Sequence, residues 1–127
     1  MKNKLPKLLF NYVKKNKDTM ILLGDIGVYG FKKQFRNSKK LLNMSTLEQT
    51  MIGFASGLSL KGKKVFVYTI APFMVNRCLE QIKIDLCYQN VDVTIITCGG
   101  SLEYSALGCT HHCPEDVNLM YNIPNMQ

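Results

Sequence analysis

The chain has 127 residues, 46% hydrophobic and 20% charged, which fits one globular domain and argues against extended disorder. Its net charge is +7, with lysines gathered in residues 2–17, 32–40 and 61–64. No aromatic side chains alternate with these lysines on a strand and no zinc-finger spacing is present, so solvated helix ends and loops account for them and no nucleic-acid partner is expected. The apolar runs are short and broken by Gly, Lys or Asp, so no membrane-spanning segment is expected. The basic N-terminus lacks the continuous apolar centre of a signal peptide. Five cysteines, Cys78, Cys87, Cys98, Cys109 and Cys113, are an odd number without a secretory signal. That pattern implies reduced thiols and a cytoplasmic setting.

In chain order, Leu5 to Asn16 predicts an amphipathic helix. Leu5, Leu8, Leu9, Tyr12 and Val13 fall at helical spacing, and Pro6 suits the first turn. Met20 to Gly24 reads as a buried strand, closed by Asp25 and the glycines Gly27 and Gly30. Phe31 to Lys40 reads as a basic loop and Leu41 to Asn43 as a short strand. Thr46 to Leu60 predicts a helix, capped by Ser45 or Thr46, with Glu48 or Gln49 completing a capping box. Gly53 and Gly57 lie one turn apart on it. Mid-helix glycine costs about 1 kcal/mol against alanine, so either tight helix-on-sheet packing or the approach of a ligand or backbone is expected there. Lys64 to Ile70 predicts a strand, Met74 to Tyr88 a helix, and Val91 to Thr97 a strand rich in β-branched residues. Pro114 to Tyr121 predicts a short helix, and Asn122 to Gln127 leads towards a further element.

Strands alternating with helices imply an α/β fold: a mostly parallel sheet flanked by helices, with right-handed crossovers. Ligands gather beyond the carboxyl ends of strands in such sheets. Asp25, the approach to Glu48, the Tyr68–Phe73 segment and the loop from Gly99 to His112 all belong to that rim.

Six stretches together resemble the pyrimidine-binding domain of the transketolase family of thiamine diphosphate enzymes. The resemblance extends to the deoxyxylulose-phosphate synthases and the β subunits of 2-oxo acid dehydrogenases. The stretches are Gly24-Asp25-Ile26-Gly27, Leu47 to Gly62, Tyr68-Thr69-Ile70-Ala71-Pro72-Phe73, Arg77 with Glu80-Gln81, Gly108-Cys109-Thr110-His111-His112, and Ile123-Pro124-Asn125-Met126. They occur in the family's order and cover nearly the whole chain.

The resemblance implies a thiamine diphosphate-binding fold of the pyrimidine-domain type and a cofactor role for Glu48. In the family, a carboxyl group bonded to the N1′ nitrogen of the cofactor's aminopyrimidine promotes its imino tautomer. The cofactor's own amino group then removes the proton from C2 of the thiazolium, and the protein supplies orientation and electrostatics. Glu48 matches that acid. Phe73 matches an aromatic that stacks on the aminopyrimidine, and Tyr68 and Asp25 are further cofactor-binding candidates. His111 matches a substrate-facing histidine able to bond a hydroxyl or shuttle a proton near neutrality, with His112 and Arg77 as substrate-binding candidates. Without the resemblance, Glu48 is a capping-box residue, Tyr68 fills the core and the two histidines are ordinary loop residues.

The departures narrow the reading. Leu107 stands where transketolases carry an acid shortly before the Thr-His motif, and Gly99 stands near the place of a further histidine. Ordinary pentose-phosphate chemistry is therefore disfavoured, and a sugar or 2-oxo acid of another kind is expected. Gly24-Asp25-Ile26-Gly27 is not the Gly-Asp-Gly motif with which the family holds diphosphate and Mg²⁺. The expectation is a chain lacking the diphosphate-binding and C-terminal domains and stopping before its last strand. It would work beside a diphosphate-binding partner subunit that holds Mg²⁺, as a homodimer or heterotetramer, transferring a two-carbon unit. An uncovered sheet edge near its end would invite aggregation. Two alternatives stand beside it: a non-catalytic interaction subunit that kept the fold, and a metal or redox module built on Cys109, His111, His112 and Cys113, with Cys98 nearby.

Overall fold

In the computed structural model, residues 4–28, 30–31 and 38–127 are described. Helix α1 (Leu5–Lys15) carries Pro6 in its first turn and buries Leu9 and Val13. Strand β1 (Thr19–Leu23) ends in a short 3₁₀ turn, Asp25–Gly27. Strand β2 is Leu41–Asn43, helix α2 is Glu48–Leu60 and strand β3 is Lys64–Ile70. Helix α3 (Ala71–Val75) follows β3 directly. Helix α4 (Leu79–Gln81) runs into a π-helical segment, Ile82–Tyr88. Strand β4 (Val93–Cys98), two 3₁₀ turns (Ser105–Leu107 and Cys109–His111) and helix α5 (Asp116–Tyr121) complete the described elements.

The four strands form one parallel sheet in the order β2-β1-β3-β4. The α/β expectation therefore holds. Apolar side chains alternate between the two faces of the central strands, so each face has its own core. Leu22, Val65 and Val67 pack with Met51, Ile52 and Ala55 of α2 and with Met74, Cys78 and Ile82. On the opposite face Ile21, Leu23 and Tyr68 pack with Leu9 and Val13 of α1 and with Phe31. Strand β4 has a strand partner on one side only among the described residues. Cavities of about 430 and 330 Å³ lie along it, the first against Asn125 and Met126 and the second against α5.

Three local expectations need correction. Helix α2 begins at Glu48, and its N-cap, Leu47, makes no side-chain capping bond. The capping box is absent because the Glu48 carboxylate turns into the fold instead. The predicted helix Met74 to Tyr88 begins earlier, at Ala71, and is broken between Val75 and Leu79. Its last part is π-wound, and Ser56 of α2 donates to the Asp85 carbonyl at 2.7 Å, which satisfies one acceptor of that irregular turn. Tight packing at the paired glycines is not observed. Both are exposed; a Cβ on Gly53 would meet only Asp85 at 3.7 Å, and one on Gly57 would meet nothing within 4 Å. The basic loop predicted over Phe31 to Lys40 falls mainly on residues outside the described ones, although Phe31 itself is buried in the α1-side core.

Candidate cofactor site at the carboxyl rim of the sheet

Glu48 is the first residue of α2 and only 2% exposed. Its position at a helix N-terminus suits a carboxylate, because the free amides there carry partial positive charge. Burial removes it from water, and a buried charge needs partners. Two side chains serve. Arg77 donates through Nη1 to Oε2 at 2.5 Å, and Thr69, at the end of β3, donates through Oγ1 to Oε1 at 3.3 Å. Gly24 closes the third side. A Cβ there would collide with the Thr69 side chain and stand 3.6 Å from Glu48 Oε1, so only glycine lets β1 end this close to the acid.

Arg77 reaches Glu48 because the helix after β3 is interrupted. Residue 77 lies in the break, and Gln49 of α2 donates to its carbonyl at 3.1 Å. The guanidinium also lies over the Phe73 ring, 4.4 Å from its centroid. Phe73 in turn meets His111 edge-on, with centroids 5.2 Å apart. Thr110 Oγ1 and His111 Nδ1 lie 2.9 Å apart, and Tyr104 stands edge-on to the same imidazole at 6.4 Å. Glu48, Arg77, Phe73 and His111 thus form one continuous line of contacts from the sealed acid to the 99–112 loop. Cys78 lies behind this line. Burial, reinforced by the negative charge of Glu48 and opposed by Arg77, pushes its thiol from 9.0 up to about 12, so it stays protonated and unreactive.

The other sequence candidates sit elsewhere. Tyr68 is one residue from Thr69 and therefore points through the opposite face of the sheet. It fills the α1-side core, tilted against Phe31 at 5.8 Å, with its phenol pushed up by burial and by Cys98. As a wall of the Glu48 pocket it is thus corrected to a core residue. Asp25 lies on the correct rim but is exposed, and its carboxylate accepts from Asn43 at 3.2 Å. His112 lies 3.2 Å from the Ser105 carbonyl through Nε2, which ties it to its own loop. Arg77 faces the acid, where a substrate contact was expected. Thr69 and Gly24 belong to the site although sequence reading gave neither a role; the one available signal was their place at strand ends beside matched motifs.

Among the described residues, no group of three or more His, Cys, Asp or Glu side chains is arranged to hold a metal ion. Cys109 is exposed and Cys113 buried, so the Cys-His-His-Cys run does not converge. The larger cavities border β4 and not Glu48. The acid defines the site by its chemistry: a sealed carboxylate and an aromatic face, bridged by one flat guanidinium, are suited to a flat, nitrogen-bearing ring that can stack and hydrogen-bond at once. The residues present fit an aminopyrimidine.

Comparison with known proteins gives the family. Residues 9–127 match the family of the transketolase pyrimidine-binding domain, and the chain belongs to that family. It is 36% identical over 88 residues to an apulose-4-phosphate transketolase subunit of Actinobacillus succinogenes, covering 69% of this chain and 28% of that protein. It is 28% identical over 121 residues to a 6-deoxy-6-sulfo-D-fructose transketolase subunit of a Clostridium species, covering 94% of this chain and 38% of that one. Among solved structures, a split-gene transketolase described as an inactive beta4 tetramer superposes with a TM-score of 0.80 at 30% identity, over 94% of this chain and 39% of its own. The chain thus spans well under half the length of these relatives. No helix among the described residues is long and apolar enough to cross a membrane.

Proposed function

We propose that this chain supplies the pyrimidine-binding site of a thiamine diphosphate-dependent, transketolase-like transferase that moves a two-carbon unit between sugar-type or 2-oxo acid substrates. The observation that carries the reading is the burial of Glu48 at the carboxyl rim of the sheet, joined through the Arg77 guanidinium to the Phe73 ring. Bound thiamine diphosphate would supply the carbon nucleophile. Glu48 would share a proton with ring nitrogen N1′, Phe73 would stack on the ring, and Thr69 would keep the carboxyl group oriented. Gly24 leaves room for that carboxyl group. His111, half-buried on the far side of Phe73, would face the substrate and bond one of its hydroxyls.

Diphosphate and Mg²⁺ would be held by a second, diphosphate-binding subunit, because this chain offers no converging acidic ligands among its described residues. Support for such a partner comes from the relatives named as subunits and from the solved split-gene enzyme. In the assembled enzyme, Glu48→Gln should lower turnover at least about 100-fold, the scale of a lost acid–base group, and leave the thermal unfolding midpoint within a few degrees of the parent. Undiminished turnover in that variant would remove Glu48 from the mechanism.

A further inference from the structure

The Arg77 guanidinium makes two contacts at once: it lies over Phe73 and donates to the Glu48 carboxylate. These are the contacts that the proposed reading gives to an aminopyrimidine, namely stacking on the aromatic ring and a hydrogen bond to the acid. A guanidinium is flat, delocalised and rich in donors, and so imitates a small nitrogen heterocycle well. We propose that Arg77 is an internal occupant of the pyrimidine site, which seals Glu48 in the free chain and must swing away for the ring to enter. This inference rests on the pyrimidine-binding role proposed for the site.

The surroundings suit a swinging side chain. Glu48 is sealed at 2% exposure, whereas the Arg77 side chain is 41% exposed, so the guanidinium can return to water without crossing the core. The Arg77 backbone need not move, since Gln49 and the Pro72 carbonyl hold the turn. Thr69 approaches the other carboxylate oxygen, so Glu48 keeps its orientation while the ring nitrogen takes the place of the guanidinium. The acid is never buried alone: a cation covers it before the ring arrives, and the ring covers it afterwards. Breaking a buried pair by removing one partner is strongly destabilising, which explains why an unliganded chain with a sealed carboxylate needs such a stand-in.

A competing occupant lowers apparent affinity by the fraction of time it fills the site. The test uses the neutral hydroxymethyl-aminopyrimidine half of thiamine as probe, titrated by NMR into the parent chain, Arg77→Gln, Arg77→Lys and Glu48→Gln. The neutral probe removes simple charge repulsion from the comparison. The expected result is binding about tenfold tighter in Arg77→Gln than in the parent, with Arg77→Lys in between because lysine pairs without stacking. The free Arg77→Gln chain should melt lower, and probe should raise its midpoint more than the parent's. Equal or weaker probe binding in Arg77→Gln, with Glu48→Gln abolishing binding, would overturn the stand-in role and leave the pyrimidine site intact. Probe binding in none of the four proteins would overturn both.

Discussion

The central strands of the sheet are sealed on both faces, and the two faces are built for different ends. Ile21 and Leu23 on the α1 side, and Leu22 and Val67 on the α2 side, are all fully buried. The α1 side closes over aliphatic and aromatic groups, with Tyr68 turned inward against Phe31. The α2 side has an apolar floor of Met51, Ile52, Ala55 and Met74, and at its rim it admits one carboxylate, matched by one guanidinium. Adjacent residues of β3 mark the division: Tyr68 belongs to one face and Thr69 to the other. Depth of burial therefore does not identify a site here. What identifies it is a charge retained at the end of a core, at the strand tips, where a ligand can replace its partner.

The largest effects should come from emptying each core in turn. Ile21→Ala and Ile52→Ala should each cost about 2–5 kcal/mol in urea denaturation, because both side chains are fully buried. Ile52 lies one helical turn from Glu48 and should also weaken aminopyrimidine binding, whereas Ile21 should not. Equal losses of binding in the two variants would erase the distinction between the faces.

A smaller effect appears in alkali. The Cys78 thiol on the α2 side is raised from 9.0 to about 12 by burial. In the unfolded chain it ionises first, so its contribution to stability is intact below about pH 9 and is lost as the pH rises towards 12. Cys113, raised to about 11 chiefly by burial, acts in the same direction. The urea midpoint should fall across that window, and Cys78→Ala should flatten part of the fall; an unchanged slope would show that the α2-side core admits water at Cys78.

The finest test uses the neighbouring pair on β3. Thr69→Val removes a hydroxyl that donates to Glu48, and Tyr68→Phe removes one directed towards Cys98 in the other core. Each should cost about 1 kcal/mol in stability. Only Thr69→Val should weaken aminopyrimidine binding, measured by the same titration. Weakening by Tyr68→Phe would return Tyr68 to the site.

Much of the fold was legible beforehand because its strands are short apolar runs between punctuating residues. Lys64–Ile70 and Leu41–Asn43 appear at their predicted bounds, and β1 and β4 are displaced by one or two residues. The break between Val75 and Leu79 was not legible. Local preference favours a continuous helix there, and the interruption is held by contacts from far along the chain, such as the Gln49 side chain on the Arg77 carbonyl. The absent capping box has the same origin. Glu48 could serve its own helix end or a distant guanidinium, and only the packed fold brings that guanidinium to 2.5 Å.

The amino-acid sequence by itself determined the layered α/β architecture, the family and the prominence of Glu48, because period, turn residues and motif order are local properties read along one dimension. The partners of that acid were decided only by the tertiary structure. Which of two adjacent side chains on β3 meets it, and which cation covers it, depend on sheet face, on a broken helix and on the approach of Gly24. Those are distances across the fold, and a buried charge is settled by what lies within hydrogen-bonding reach of it in space.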